Sequence, residues 1–237
     1  MAFRSIIFAP LYVITVIITT GIGGALGCFL SQKQRFFFPR ITFHVTSFWL
    51  RIICGITYRV EGLENIPDYP CVIASNHQSA WETYALQVFI SPLCTVLKRE
   101  LLFIPFFGWS LAYMKPIAID RSNAIAASKK VLKVGKSRLA DGISVLVFPE
   151  GTRTKAGVDA EFKRTAAALA HNAKVPILPI AHNSGKFWPA RTIWKQKGVI
   201  VMKIGKPIDT SGKTAEAIHN IYSEWIKREK SALESAV

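Results

Sequence analysis

The first sixty residues contain no acidic side chain, although six basic ones fall there: Arg4, Lys33, Arg35, Arg40, Arg51 and Arg59. All fifteen acidic residues of the 237-residue chain lie from Glu61 onward, against 30 Lys and Arg overall, a formal net charge of +15. Other absences narrow the chemistry. There is no H-E-x-x-H pattern, and none of the four cysteines (28, 54, 71, 94) forms a C-x-x-C pair, so neither a zinc site nor a dithiol redox centre is expected. Each cysteine sits in an apolar context, which points to reduced, buried thiols. No internal repeat and no low-complexity linker interrupts the sequence. A chain this basic needs an anionic partner, nucleic acid or anionic lipid.

What is present decides between them. From Ser5 to Gln32 no residue is charged, and the apolar core, residues 6–30, spans about 38 Å as a helix at roughly 1.5 Å per residue, enough for a bilayer's hydrocarbon layer. It exceeds the roughly 7–15 apolar residues of a signal peptide, so retention is expected. Residues 36–58 mix Phe36, Phe37, Phe38, Phe43, Phe48 and Trp49 with Arg40, His44 and Arg51, the pattern of an amphipathic helix lying at a membrane interface. Residues 1–60 are therefore read as a membrane anchor and residues 61–237 as the globular domain. Lys33, Arg35 and Arg40 outweigh Arg4, which places the bulk of the chain on the cytoplasmic side. Gly21, Gly23, Gly24 and Gly27 leave two arrangements open, a spanning helix or a hairpin in one leaflet. With no recognisable nucleic-acid motif, anionic membrane lipid is the expected partner and nucleic acid is not.

From Glu61 the composition becomes that of an α/β domain. Short apolar runs at 71–75, 93–97, 143–148, 177–181 and 199–204 read as buried strands. Helical patterns cover Ser122 (as cap) to Leu139, residues 160–173, and 214–230. Strands alternating with helices imply a mixed, largely parallel sheet flanked by helices, with functional residues just beyond the carboxyl ends of strands.

Two polar clusters follow strands directly. The first holds Asn76, His77 and Glu82. Five positions apart on one helix means about 140° of rotation, so the two side chains meet only if His77 lies in the turn and Glu82 in the helix's first turns. Then the carboxylate would fix the ring's tautomer and leave Nε2 free as a general base. Spacing alone favours a capping histidine beside an unrelated surface glutamate, since His and Glu five apart is a common accident. The second cluster is Phe148 to Arg153: Gly151 permits a sharp turn, Arg153 offers a planar fork to a phosphate, and Glu150 and Thr152 add an acceptor and a donor. A β-turn with a surface arginine would read the same.

Four blocks taken in order carry more. Asn76-His77-x4-Glu82 is followed by Lys98-Arg99-Glu100-Leu101 running through Ile104 to Gly108 and on to Ile119-Asp120-Arg121, then Phe148 to Arg153, then Val175 to Ile180. Across roughly residues 60–205 the chain resembles the glycerolipid acyltransferases, most closely those acting on 1-acylglycerol-3-phosphate. The resemblance implies that His77 is the general base and Glu82 its orienting carboxylate. It implies that Lys98, Arg121 and Arg153 hold the acceptor's phosphate, while Glu150, Gly151 and Thr152 shape the glycerol pocket. The acyl donor would be acyl-CoA or acyl-carrier protein and the acceptor lysophosphatidate, with no covalent acyl-enzyme and no cofactor or metal. Backbone amides near His77 would stabilise the oxyanion. Glu82 stands where the family usually has Asp, and Thr165 where it commonly has Gly. Alternatives of other kinds are transfer to a different lyso-lipid, such as a lyso-ornithine lipid, and a non-catalytic membrane-binding protein of the same fold.

Overall fold

The computed structural model describes residues 2–236; the terminal residues and the side chains of Gln32 and Lys33, one of the cations used for orientation, lie outside what is described. The chain opens with α1 (Ala2–Leu26), a 3-10 turn (Gly27–Phe29), a short α2 (Gln32–Arg35) and α3 (Phe37–Trp49), which runs into a π-helical turn (Leu50–Cys54). Gly55, at φ 67°, ends that turn in the left-handed conformation and sends its N–H back to Leu50 O. Strand β1 (Ile56–Glu61) follows at once. The interfacial helix expected to reach residue 58 therefore stops at Cys54, and β1 belongs to the sheet. Thr57, Tyr58 and Arg59 are exposed in succession on this edge strand, which is why its mixture of Tyr58 and Arg59 resembles an interface helix.

Six more strands follow: β2 (Val72–Ser75), β3 (Leu93–Lys98), β4 (Ile117–Ile119), β5 (Ser144–Val147), β6 (Ile177–His182) and β7 (Gly198–Ile204). The intervening helices are α4 (Trp81–Phe89), α5 (Phe107–Tyr113), α6 (Ala124–Ala140), α7 (Thr165–Ala173), α8 (Ser184–Phe187) and the last, α9 (Ala215–Ser235). The sheet order is β1-β7-β6-β2-β5-β3-β4, parallel throughout except where β6 meets β7. Three-residue β4 has too short an apolar run to be read from sequence.

Helix ends follow local chemistry. Asn123, one residue after the expected Ser122, caps α6 by accepting from Ala126 N, while Ser122 is drawn to Asp120. Helix α7 starts at Thr165 and not at 160, because Lys163 N is held by Pro149 O and Phe162 is buried beside Tyr222. Thr214 caps α9, which continues past residue 230 to Ser235.

Both faces of the sheet are covered, and the strand alternation divides the core. Ile73, Leu146, Leu178 and Ile180 face a layer containing Phe8, Phe43, Leu50 and Trp81. Val72, Ala74, Val145 and Val147 face α6, α7 and α9 through Val131, Leu169, Tyr222 and Ile226. The N-terminal helices are thus one layer of the domain. Along α1, Phe8 and Tyr12 meet Trp188 edge-on, the Thr19 and Thr42 hydroxyls lie 2.8 Å apart, and Gly24 and Gly27 abut Phe106 and Tyr113. Cys54, Cys71 and Cys94 are buried, but Cys28 is exposed, contrary to expectation, because it follows the end of α1 where the packing thins.

Candidate active site

Five parallel strands, β2 to β6, deliver the site from their carboxyl ends, as open α/β sheets do. His77 lies two residues beyond β2, in the turn before α4, and Glu82 is the second residue of α4. This is the one arrangement in which the two can meet, and His77 Nδ1 is 2.9 Å from Glu82 Oε1. Glu82 is fully buried. Its Oε1 also accepts from Gln78 N at 2.9 Å and Ser79 N at 2.8 Å, and its Oε2 from the Ser79 hydroxyl at 2.6 Å and the Ser184 hydroxyl at 2.9 Å. Burial alone would raise the carboxyl's pKa; the field of His182, the hydrogen bond and field of His77, and the Ser79 hydroxyl together hold it well below the ordinary range. An ionised acceptor at Nδ1 requires a proton on that nitrogen, which leaves Nε2 with its lone pair. The ring is stacked on Phe148, 4.0 Å between centroids and 16° between planes.

A cavity of about 270 Å³ opens over the ring. Lys98, Arg121, Gly151, Arg153 and Lys163 line it with His77, and among the described residues no carboxylate does. Lys98 stands 3.6 Å from Glu100, a solvent-exposed pairing of little strength. Thr152 is exposed and is not among the lining residues. Glu150 also stands outside the cavity: buried, it accepts from His77 N and from the Thr154 hydroxyl, each at 3.1 Å. Burial pushes its pKa up to about 7 against the lowering effect of those two bonds. The structure thus brings His77, Glu82, Lys98, Arg121, Gly151 and Arg153 to one place, with Glu150 bonded to the His77 amide and Thr152 apart from them.

The amides of residues 77, 78 and 79 are already bound to Glu150 and Glu82, so these N–H groups are not free to stabilise an oxyanion as expected. Several members escaped the sequence reading. Ser79 and Ser184 steady Glu82; buried His182 bonds Asn76 O through Nε2 at 2.8 Å; Lys163 joins the cavity wall. Ser184 lies two residues beyond β6, so the strand-end rule could have found it.

A second, more apolar cavity of about 390 Å³ adjoins the first, sharing Thr83, Thr95, Leu97, Leu101 and Arg153. It runs between α1, α3, α4 and α5, past Val16, Phe38, Leu111 and Met114. Among the described residues no cluster of His, Cys, Asp or Glu is arranged to hold a metal ion.

The family model described as Acyltransferase matches residues 57–183. The 1-acyl-sn-glycerol-3-phosphate acyltransferase of Pseudomonas aeruginosa is 52% identical over 173 residues, covering 73% of this chain and 67% of that protein. The enzyme of the same name from Saccharomyces cerevisiae is 30% identical over 206 residues, covering 84% of this chain and 66% of that protein. The chain therefore spans about two thirds of the length of these curated relatives. The crystal structure of the 1-acyl-sn-glycerophosphate acyltransferase of Thermotoga maritima has the same fold, with a TM-score of 0.78 over 100% of this chain and 97% of that one at 23% identity.

Proposed function

This chain belongs to the Acyltransferase family, and on that premise we propose that it transfers a fatty acyl group from a thioester to the sn-2 hydroxyl of 1-acylglycerol-3-phosphate, forming phosphatidate. The observation that carries the reading is the 2.9 Å contact between His77 Nδ1 and the buried Glu82 carboxylate, at the floor of a cavity walled by cations. Nε2 takes the proton of the acceptor hydroxyl as its oxygen attacks the thioester carbonyl. The tetrahedral intermediate collapses, the C–S bond breaks, and the departing thiolate recovers the proton from His77. Glu82 stabilises the imidazolium between the two transfers. No side chain forms an acyl intermediate.

Arg121, Arg153 and Lys98 are the phosphate ligands in this reading, with Lys163 beside them; four cations and no carboxylate suit a phosphomonoester. The adjoining apolar cavity takes an acyl chain. The donor is acyl-CoA or acyl-carrier protein, both of which match a basic surface. The segment Ala2–Phe29 is long and apolar enough to cross a bilayer. Yet its first turn is bonded to Lys195 N and its last turns press on α5, so the domain runs alongside it. That supports a helix lying in one leaflet, its outward Ile14, Ile17 and Ile18 in lipid and the domain on the cytoplasmic face.

The test is acyl transfer in vesicles from radiolabelled donor to a panel of lyso-acceptors. Labelled phosphatidate from lysophosphatidate is the expected product. Preferred labelling of another lyso-lipid, lyso-ornithine lipid included, would reassign the acceptor, and no transfer to any would remove the enzymatic reading.

A further inference from the structure

The loop between α8 and β7, residues 188–197, takes no part in the site described above, and while its Trp188 is buried, two other apolar side chains point outward. Ile193 is 49% and Trp194 50% exposed. Their backbone is not loose. Trp194 N donates to the Thr192 hydroxyl at 3.1 Å, and the Lys195 ammonium turns under the loop to Ile193 O at 2.9 Å. That ammonium also lies over the rings of Phe8 and Trp188, 5.6 and 5.3 Å from their centroids. Burial lowers its pKa to about 8. Lys195 N donates to the Ser5 hydroxyl at 2.9 Å, which clamps the loop to the first turn of α1. Exposed Phe3, Ile6 and Ile7 flank that turn. Arg191 and Lys197, both exposed, border the apolar pair, and among the described residues neither forms an ion pair.

A tryptophan and an isoleucine held outward, a carbonyl beneath them already satisfied, cations at the border and continuity with an apolar helix together describe a surface made for the headgroup boundary of an anionic bilayer. We propose that Ile193 and Trp194 insert into the membrane interface beside the amino end of α1, with Arg191 and Lys197 on anionic headgroups. The loop then pins one end of the helix at a set depth and fixes the tilt of the domain on the membrane. This inference rests on the membrane reading of α1. A second copy of the chain is the competing occupant, but isolated cations at the rim would repel their own images across a symmetric contact.

The experiment places a nitroxide at position 194 (Trp194→Cys) in full-length protein in which exposed Cys28 is replaced by Ser. Accessibility to oxygen and to a polar nickel chelate is measured on vesicles of phosphatidylcholine and phosphatidylglycerol. Labels at Ile14 on α1 and Ile221 on α9 serve as lipid and water references. The expected result is an oxygen-to-nickel ratio at 194 several-fold above that at 221 and approaching that at 14, falling when Arg191 and Lys197 are changed to Glu. A ratio equal to that at 221, with 14 still lipid-exposed, overturns the loop proposal and leaves the helix reading standing. A water-like ratio at 14 overturns the helix reading itself. Dipolar broadening between labels at 194, with a water-like ratio there, assigns the surface to a second copy and also overturns the proposal.

Discussion

The turn after β2 and the helix that opens the chain are held by different forces. In the turn, one carboxylate collects five donors from four residues: His77, Gln78, Ser79 and Ser184. Along α1, hydroxyls such as Thr15 and Thr20 bond back to their own helix, and attachment to the domain is largely by apolar area and by glycines that let Phe106 and Tyr113 approach. The contrast separates two kinds of requirement. The turn depends on the identity of single atoms, since a buried acceptor or donor left without its partner costs its full desolvation. The helix depends on volume and hydropathy, so many apolar sequences would serve it.

Substitutions that remove a single function in the turn should therefore be the most damaging. His77→Ala is expected to lower kcat by about 10²–10⁴-fold, the usual contribution of a positioned acid–base group, while circular dichroism shows a folded protein. Normal turnover would break the contrast at its strongest point. Glu82→Gln keeps the shape but presents an amide to at least one donor and removes the charge that favours the imidazolium. About a 10²-fold loss of kcat is expected, with a lowered Tm. Stability that depends on ionised Glu82 is present above the carboxyl's unfolded pKa and is lost as pH falls below it.

Glu150 responds to pH with the opposite sign. Its folded pKa of about 7 lies above the unfolded value of 4.5, so between these pH values the native state binds the extra proton and stability falls as pH rises. Across that window the loss is at most about 3 kcal/mol, and Glu150→Gln should flatten the slope in denaturant titrations run at several pH values. In the 3-10 turn that follows α1, Gly27→Val would put a Cβ 2.1 Å from the Tyr113 ring, and overpacking of this kind costs about 1–3 kcal/mol. The expected signature is a lower Tm with kcat largely preserved. At Gly21 an added Cβ meets nothing within 4 Å, so Gly21→Ala should stabilise by about 0.5–1 kcal/mol in the same melt.

How far the sequence could be read follows the same division. Central strands such as β2 and β5 are apolar throughout because both faces are buried, and they were legible as runs. Edge strand β1 shows three exposed residues in a row, so its pattern passed for a continuation of α3. In the site, His77 and Glu82 are five residues apart, and their meeting could be stated as a condition on the turn. Ser184, 102 residues from Glu82, is brought there only by the pairing of β6 with β2. Glu150 was legible as a member of its block but not as a bond to the His77 amide, because that bond depends on β5 lying beside β2.

The proposed chemistry requires Glu82 to hold the His77 ring with its proton on Nδ1 and Nε2 bare. Imidazole ¹⁵N shifts at mildly alkaline pH, assigned by comparison with His77→Ala, test it directly. The Nδ1–H tautomer is expected in wild-type protein, and its loss in Glu82→Gln. An Nε2–H tautomer in the wild type, or shifts indifferent to residue 82, would contradict it.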